Sequence, residues 1–124
     1  MTFLDTHVVV WLYQRDRGQF SKLALQILDS CELRVSAAVA LELEYLYEIK
    51  RLTERSGVIL SYLQHSIGLR QDSCQFPQLV NQAMDMSWTR DPFDRLITAN
   101  AALHNSLLLT KDTNIAKNYR HARW

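Results

Sequence analysis

The sequence predicts an α/β fold in which helices cover both faces of a central parallel sheet. Short apolar segments of strand length, such as Leu33–Val35 and Leu107–Leu109, alternate along the chain with amphipathic segments of helical periodicity. The chain has 124 residues, which suits one domain and is too short for two. We therefore expect residues 1–124 to form a single domain whose functional site is assembled from distant segments.

The composition is that of a folded globular domain. Hydrophobic residues make up 48% of the chain and charged residues 22%, which excludes a disordered tail. The longest apolar run, Val8–Tyr13, is far below the ~20 residues that cross a bilayer, so we expect no membrane association and a cytoplasmic location. Cys31 and Cys74 are isolated and lack the spacing of a zinc site, so reduced thiols are expected.

The first half of the chain begins with a β-prone segment and then becomes helical in character. Met1–Leu4 predicts a strand, and the apolar run that follows fits a strand or a helix equally well. Ser21 is a suitable N-cap for a helix that precedes the short strand Leu33–Val35. Ser36 is a suitable cap for the next helix, which we expect to end near Arg51.

The second half predicts further alternation of helices and strands. We expect a helix around 58–67, an extended piece near Ser73–Phe76 and a helix around 79–84. The pair Asp91–Pro92 is a strong start for a helix that continues through Leu103. The remaining expected elements are a strand at Leu107–Leu109, a short helix from Asp112 and a closing edge strand within His121–Trp124.

Two acidic residues directly follow predicted strands. Asp5 follows the first strand and Asp112 follows the strand at 107–109. In open parallel sheets the site lies beyond the carboxyl ends of the strands, so both positions favour chemistry. The alternative is that each residue only caps the helix that follows it, a common role of aspartate.

Glu42 is expected to point along the apolar side of its helix. Leu46 lies four positions further along and Ile49 seven positions further, both on the same face. A lone buried carboxylate is costly, so Glu42 requires a cation or a basic partner. Glu44 lies on the opposite, solvated stripe together with Arg51.

The segment around Asp91 contains a second acid with a different expected role. Asp91 is explained as a helix cap followed by proline. Asp94 lies in the first turn, on the same helix face as Ile97 and Ala101. We therefore expect the carboxylate of Asp94 to lean toward the ends of the strands.

Four segments carry a resemblance to a known family, and their order and spacing span nearly the whole chain. They are Phe3–Val8, Val35–Ala38 leading to Glu42, Arg90–Ile97 and Leu108–Asp112. Together they resemble the PIN-domain toxins of the bacterial toxin–antitoxin systems called VapBC. Residues 53–87 match nothing in particular.

The resemblance implies a three-layer α/β/α PIN-like fold and a metal-dependent ribonuclease whose acids hold Mg²⁺ or Mn²⁺. It implies cleavage of RNA to products with 5′-phosphate and 3′-hydroxyl ends. Four acids match those of the family by motif: Asp5, Glu42, Asp94 and Asp112. Asp91 matches an accessory acid of the family. Glu44 lies close to Glu42 in the sequence, and helix-face geometry favours Glu42 as the ligand.

The charges of the sequence agree with such a site. Four carboxylates brought together repel one another unless protons or a hard dication neutralise them, and oxygen ligands suit Mg²⁺ or Mn²⁺. The net charge is +1, but setting the four acids aside leaves 14 basic residues against nine acidic ones, a charge of +5. That remainder is compatible with binding a polyanion such as RNA.

Other polar residues near the motifs have two interpretations. Thr6, Ser36 and Thr110 fit either hydrogen bonds to the acids or ordinary cap and turn bonds. Arg90, Arg95 and the basic residues after 110 fit either contacts with RNA phosphates or a solvated face. The four histidines lack ligand spacing and are expected to be structural or exposed.

The resemblance also implies a homodimer and an antitoxin partner. Trp11, Tyr47 and Tyr62 agree with such contacts, because a small core does not readily bury them all. One alternative is a receiver-like phosphoacceptor module, which expects paired acids after the first strand, where this chain has Asp5 alone. Another is a PIN-like binding domain without catalysis.

Overall fold

Five short strands form one all-parallel sheet in the computed structural model, which describes residues 1–124. In chain order they are β1 (Thr2–Leu4), β2 (Leu33–Val35), β3 (Arg70–Gln71), β4 (Leu107–Leu109) and β5 (Ala122–Arg123). Their order in the sheet is β3-β2-β1-β4-β5. Phe3 of the central strand β1 pairs with Arg34 of β2 on one side and Leu108 of β4 on the other.

Seven α-helices connect the strands, because parallel neighbours require crossover connections. A short 3₁₀ turn, Arg17–Gln19, also precedes the second helix. The helices are α1 (Thr6–Gln14), α2 (Lys22–Ser30), α3 (Ala37–Glu48), α4 (Ser56–Ile67), α5 (Phe76–Met84), α6 (Pro92–Leu103) and α7 (Thr113–Asn118). None of them is long and apolar enough to cross a membrane.

The core lies on both faces of β1. Phe3 and Leu4 are fully buried, and successive residues of a strand point to opposite faces. Helices therefore cover the sheet on both sides, with Val8 and Val9 of α1 and Ile97 of α6 in the same core cluster. This three-layer α/β/α arrangement confirms the predicted fold class.

Most predicted elements are present. The apolar run after Asp5, which fits two structures by sequence, is the helix α1. Ser21, Ser36, Asp91 and Asp112 each cap a helix with their side chains, as expected. The strands predicted at 33–35 and 107–109 and the closing edge strand are also found.

Two predicted boundaries are wrong. The extended piece expected near Ser73–Phe76 is instead β3 at Arg70–Gln71, because Gly68 turns the chain in a left-handed conformation at the end of α4. The helix expected to reach Arg51 ends at Glu48. Lys50 is left-handed with φ of 64°, which reverses the chain there.

Candidate active site

A polar pocket of about 430 Å³ opens beside β1 and β4 at the carboxyl end of the sheet. Four parts of the chain supply its walls: the start of α1, the face of α3 with the loop after it, the start of α6 and the start of α7. The structure brings all four predicted acids to this pocket, together with the accessory acid. The five carboxylates belong to Asp5, Glu42, Asp91, Asp94 and Asp112.

Asp5 and Asp112 are linked by the hydroxyl of Thr110. This hydroxyl donates to Asp5 Oδ2 at 2.6 Å and accepts the backbone N–H of Asp112 at 3.1 Å. Both acids also cap helices, since Asp5 accepts the N–H of Thr6 at 2.8 Å and Asp112 accepts that of Ile115 at 2.9 Å. Helix capping and a position in the pocket therefore coexist.

Glu42 reaches the pocket from α3, where the hydroxyl of Thr6 donates to its Oε1. Burial raises the pKa of Glu42; the Thr6 hydrogen bond opposes this, and the charges of Asp5 and Asp91 add to it. Leu46 also lines the pocket, but Ile49 is 45% exposed because α3 ends before it. The expectation that Ile49 shares the buried side with Glu42 is therefore wrong.

Glu44 has different partners outside the pocket. The guanidinium Nε of Arg55 donates to Glu44 Oε2 at 3.0 Å, and the backbone N–H of Ser56 donates to Oε1 at 3.1 Å. These bonds lower the pKa of Glu44, the Arg55 side chain contributing most. Glu42 is thus the acid of α3 that faces the pocket.

Among the carboxyls of the pocket, Asp94 has the most strongly shifted pKa. Burial raises the pKa of its carboxyl to about 7, together with the negative charges of Asp91, Asp5, Asp112 and Glu42. This carboxyl forms no ion pair, and the largest influences on its pKa are burial and the four other carboxylates. The pocket therefore has a deficit of positive charge.

His7 also lines the pocket, although its sequence context predicts only a structural or exposed role. Its Nε2 accepts the backbone N–H of Lys111 at 2.9 Å, and its Nδ1 lies 3.6 Å from Asp5 Oδ2. Burial lowers the pKa of His7, which the charges of Asp5 and Asp112 partly offset. The accepting Nε2 places the proton of the neutral ring on Nδ1, facing Asp5.

An aromatic cluster of Trp11, Phe20 and Trp124 adjoins His7. Trp11 lies 4.9 Å from the His7 ring and 5.7 Å from the Trp124 ring, measured between centroids. Phe20 packs against both tryptophans. The ammonium of Lys111 lies 5.7 Å from the centre of the Trp11 ring and 6.0 Å from that of Trp124, within cation–π range.

Arg51 is the one arginine or lysine that lines the pocket. By sequence it belongs to the solvated stripe of α3; it is exposed as predicted, but it lies beyond the helix, which ends at Glu48. The left-handed Lys50 redirects the chain and carries Arg51 to the rim of the pocket. Residue 50 is neither glycine nor asparagine, so the turn has no clear sequence signal.

The chain matches the PIN domain family over residues 2–121. It belongs to the PIN-domain family. The chain is 32% identical over 123 residues to Ribonuclease VapC22 of Mycobacterium tuberculosis, a match that covers 97% of this PIN domain and 92% of its relative.

Solved structures share the fold of this PIN domain at low sequence identity. A toxin–antitoxin complex from Klebsiella pneumoniae matches with a TM-score of 0.67 and 16% identity, covering 100% of this chain and 97% of the other. VapBC2 from Rickettsia felis, bound to a promoter DNA fragment, gives 0.63 and 15%, covering 94% and 91%. FitAcB from Neisseria gonorrhoeae gives 0.55 and 23%, covering 98% and 95%.

The acids of this PIN domain do not by themselves form a preassembled metal cage. No three histidine, cysteine, aspartate or glutamate side chains lie close enough together to hold an ion directly. The structure therefore places the predicted ligands around one pocket, and their role as ligands stays a prediction.

The PIN domain also contains a buried acid that the sequence analysis missed. Asp72 follows β3 and is 7% exposed. Asn100 Nδ2 donates to it at 2.9 Å, His104 Nε2 lies 3.0 Å from Oδ1, and Arg34 Nη1 lies 3.3 Å from the same oxygen. Burial alone would raise the pKa of Asp72, but the hydrogen bonds from Asn100, His104 and the backbone of Cys74 leave it lowered.

Proposed function

We propose that this chain is a single PIN domain that hydrolyses RNA phosphodiester bonds with a divalent cation, Mg²⁺ or Mn²⁺. The observation that carries the proposal is the pocket of five carboxylates in which the pKa of Asp94 is raised to about 7. Such a pocket favours the binding of a cation, because a dication offsets the repulsion among the acids. The ribonuclease name of the relative at 32% identity supplies the substrate class.

The chemistry of the donor set fits a hard cation. All the proposed ligand atoms are carboxylate oxygens, which suit Mg²⁺ and Mn²⁺ rather than softer metals. Mg²⁺ usually keeps several of its waters, so some of these carboxylates would hold it through a bound water and others directly. The proposed ligands are Asp5, Glu42, Asp94 and Asp112. When bound, the cation would lower the pKa of a water and stabilise charge on the phosphate.

The surrounding side chains hold the acids in place. Thr110 fixes one oxygen of Asp5, and the backbone of Thr6 fixes the other. The Thr6 hydroxyl orients Glu42. These bonds leave Asp5 and Glu42 with defined positions, as a site that binds an ion and a phosphate together requires.

Cleavage assays with two matched variants test the proposal. We expect the purified protein to cleave single-stranded RNA with Mg²⁺ or Mn²⁺ and to lose this activity in EDTA. Glu42→Gln should abolish cleavage, while Glu44→Gln, two residues away on the same helix, should leave it near wild type. Full activity after thorough chelation, or equal activity of the two variants, would contradict the proposed site. Absence of cleavage under all conditions would favour a binding domain without catalysis.

We also propose that the protein is the toxin of a toxin–antitoxin pair, forms a homodimer and binds an antitoxin peptide. A largely apolar groove of about 320 Å³ between α1, α2 and α4 offers a surface for such a peptide. Tyr62 on its wall is 39% exposed, and Trp11 links the groove to the aromatic cluster beside the pocket. The structural neighbours include a toxin–antitoxin complex, which supports this partner.

Two measurements test the assembly. Light scattering should give the mass of a dimer, and a monomer at high concentration would contradict that part. The product of a small reading frame next to the gene should bind the wild-type protein and inhibit cleavage. Leu25→Glu, which places a charge in the groove, should weaken that binding, and unchanged binding would exclude the groove as the docking surface.

A further inference from the structure

Arg51 lies at the rim of the pocket that contains the five carboxylates and forms an ion pair with none of them. The ion pairs of arginine in this structure join Arg34 to Glu32 and Asp72, and Arg55 to Glu44. No carboxylate oxygen of the pocket lies within 4.0 Å of the Arg51 guanidinium nitrogens. Its charge is therefore not neutralised by a direct contact inside the pocket.

The backbone around Arg51 is well fixed, although the residue itself is exposed. The N–H groups of Arg51 and Leu52 both donate to the carbonyl of Leu46, at 2.9 and 3.3 Å. Leu52 packs against the core, and Lys50 takes the left-handed conformation that closes α3. The point of attachment is thus rigid, while the side chain can reach over the rim.

A guanidinium in this position suits an incoming anion. Arginine is always charged, and its planar group binds a phosphate through two parallel hydrogen bonds. RNA approaching the acids carries phosphates on both sides of the bond to be cleaved, and these are repelled by the carboxylates. An unpaired arginine at the rim would offset that repulsion for one phosphate.

We propose that Arg51 binds the RNA phosphate next to the one that is cleaved and so positions the strand over the acid pocket. This inference rests on the proposed ribonuclease function. A contact with a flanking phosphate is made equally in the bound substrate and in the transition state. Its loss should therefore raise KM and leave kcat close to wild type.

The test compares Arg51→Gln with Lys50→Gln. Both substitutions remove one positive charge from neighbouring exposed residues, and only Arg51 lines the pocket. We expect Arg51→Gln to raise KM about tenfold, which corresponds to one charged hydrogen-bonding contact. Lys50→Gln should stay within about twofold of wild type, a difference smaller than one such contact. Arg51→Lys should recover part of the loss, because it keeps the charge without the two-pronged geometry.

A binding measurement gives a second readout. The affinity for a fluorescent single-stranded RNA is measured in EDTA at several salt concentrations, so that no cleavage occurs. Each phosphate contact contributes about 0.7 to the slope of log affinity against log salt. Arg51→Gln should reduce the slope by about that amount, and Lys50→Gln should not.

The outcomes separate this inference from the proposed function. If wild type cleaves RNA and Arg51→Gln matches Lys50→Gln in KM and salt slope, the inference fails and the ribonuclease function stands. A fall in kcat with unchanged KM also overturns the flanking-phosphate contact. If wild type neither cleaves nor binds RNA, both proposals fail together.

Discussion

Asp94 belongs to α6 and Asp72 contacts the same helix, but the pKa values of the two carboxyls are shifted in opposite directions. Asp94 lies in the first turn of α6, where burial and neighbouring acids raise its pKa to about 7. Asp72 contacts Asn100 and His104 near the other end of α6, and its pKa is lowered. Ten residues separate Asp94 from His104, or about 15 Å along a helix.

The difference lies chiefly in the partners of the two carboxyls. Asp72 is the more deeply buried of the two, yet hydrogen bonds from neutral and basic groups stabilise its charged form. The charges that act most strongly on Asp94 are those of further acids. A buried carboxylate thus indicates a binding site when its neighbours leave its charge unbalanced, and a structural role when they balance it.

RNA cleavage gives the most direct test of the different roles of Asp94 and Asp72. Asp94→Asn should lower cleavage by more than about 100-fold, because loss of a metal ligand exceeds the 10–100-fold effect of residues behind the ligands. The measurement is the rate of cleavage of a defined RNA with saturating Mg²⁺ or Mn²⁺. Asp91→Asn is the control, since asparagine keeps the cap bonds to the N–H groups of Phe93 and Asp94. If Asp94→Asn cleaves RNA at the wild-type rate, Asp94 is not a metal ligand and acts only as an acid in the first turn of α6.

The structural acid should behave in the opposite way. Asp72→Ala leaves Asn100 and His104 without this acceptor and removes one of the two acidic partners of Arg34, and it should lower the free energy of unfolding by about 2–4 kcal/mol. Because the folded-state pKa of Asp72 is lowered, its contribution is present above about pH 4 and is lost as the pH falls further. Urea unfolding at pH 7 and pH 3 measures both effects. Cleavage per folded molecule should remain near wild type, and a loss like that of Asp94→Asn would contradict the distinction.

The smallest expected effect concerns the stability of the acid pocket without a cation. The folded-state pKa of Asp94 is raised to about 7, so the folded protein retains a proton that the unfolded chain releases above about pH 4. Asp94 therefore costs stability increasingly from about pH 4 to about pH 7, and the cost is constant above. Asp94→Asn removes this cost and should gain about 1 kcal/mol at pH 8, a modest value because water screens the half-buried pocket.

Melting curves in metal-free buffer at pH 3.5, 5.5 and 8 follow this gain. It should be absent at the lowest pH and largest at the highest. Addition of Mg²⁺ should stabilise wild type more than the variant, because the cation binds the intact acid set more tightly. A gain independent of pH, or an equal response to Mg²⁺, would show that Asp94 is not coupled to the other acids.

The strands and acids that were predictable from sequence have local signals. Leu33–Val35 and Leu107–Leu109 are largely buried runs, so their hydrophobicity reveals them. By contrast, both residues of β3, Arg70 and Gln71, are exposed at the sheet edge and carry no apolar pattern. Asp5 and Asp112 were predictable because each directly follows a buried strand.

The features that sequence did not predict depend on distant or conformational information. Asp72 meets partners that are 28 to 38 residues away along the chain, and no motif spacing records such contacts. Arg51 reaches the pocket through a left-handed turn at a lysine, a residue that gives no sign of that conformation. His7 depends on a bond from the backbone of Lys111, which forms only when the neighbouring strands β1 and β4 lie side by side.

The aromatic cluster beside His7 gives the protein a built-in optical signal. Trp11 and Trp124, two of its three tryptophans, lie against a histidine and a lysine that adjoin the acids. Trp88 packs elsewhere, against a second buried cluster that contains Leu79 and Ala83 of α5 and Ala99 of α6. Indole emission responds to charges placed over the ring, so an ion or nucleotide that shifts Lys111 or His7 changes the emission of two tryptophans. Occupancy of the pocket can thus be followed in the unlabelled protein by its own fluorescence.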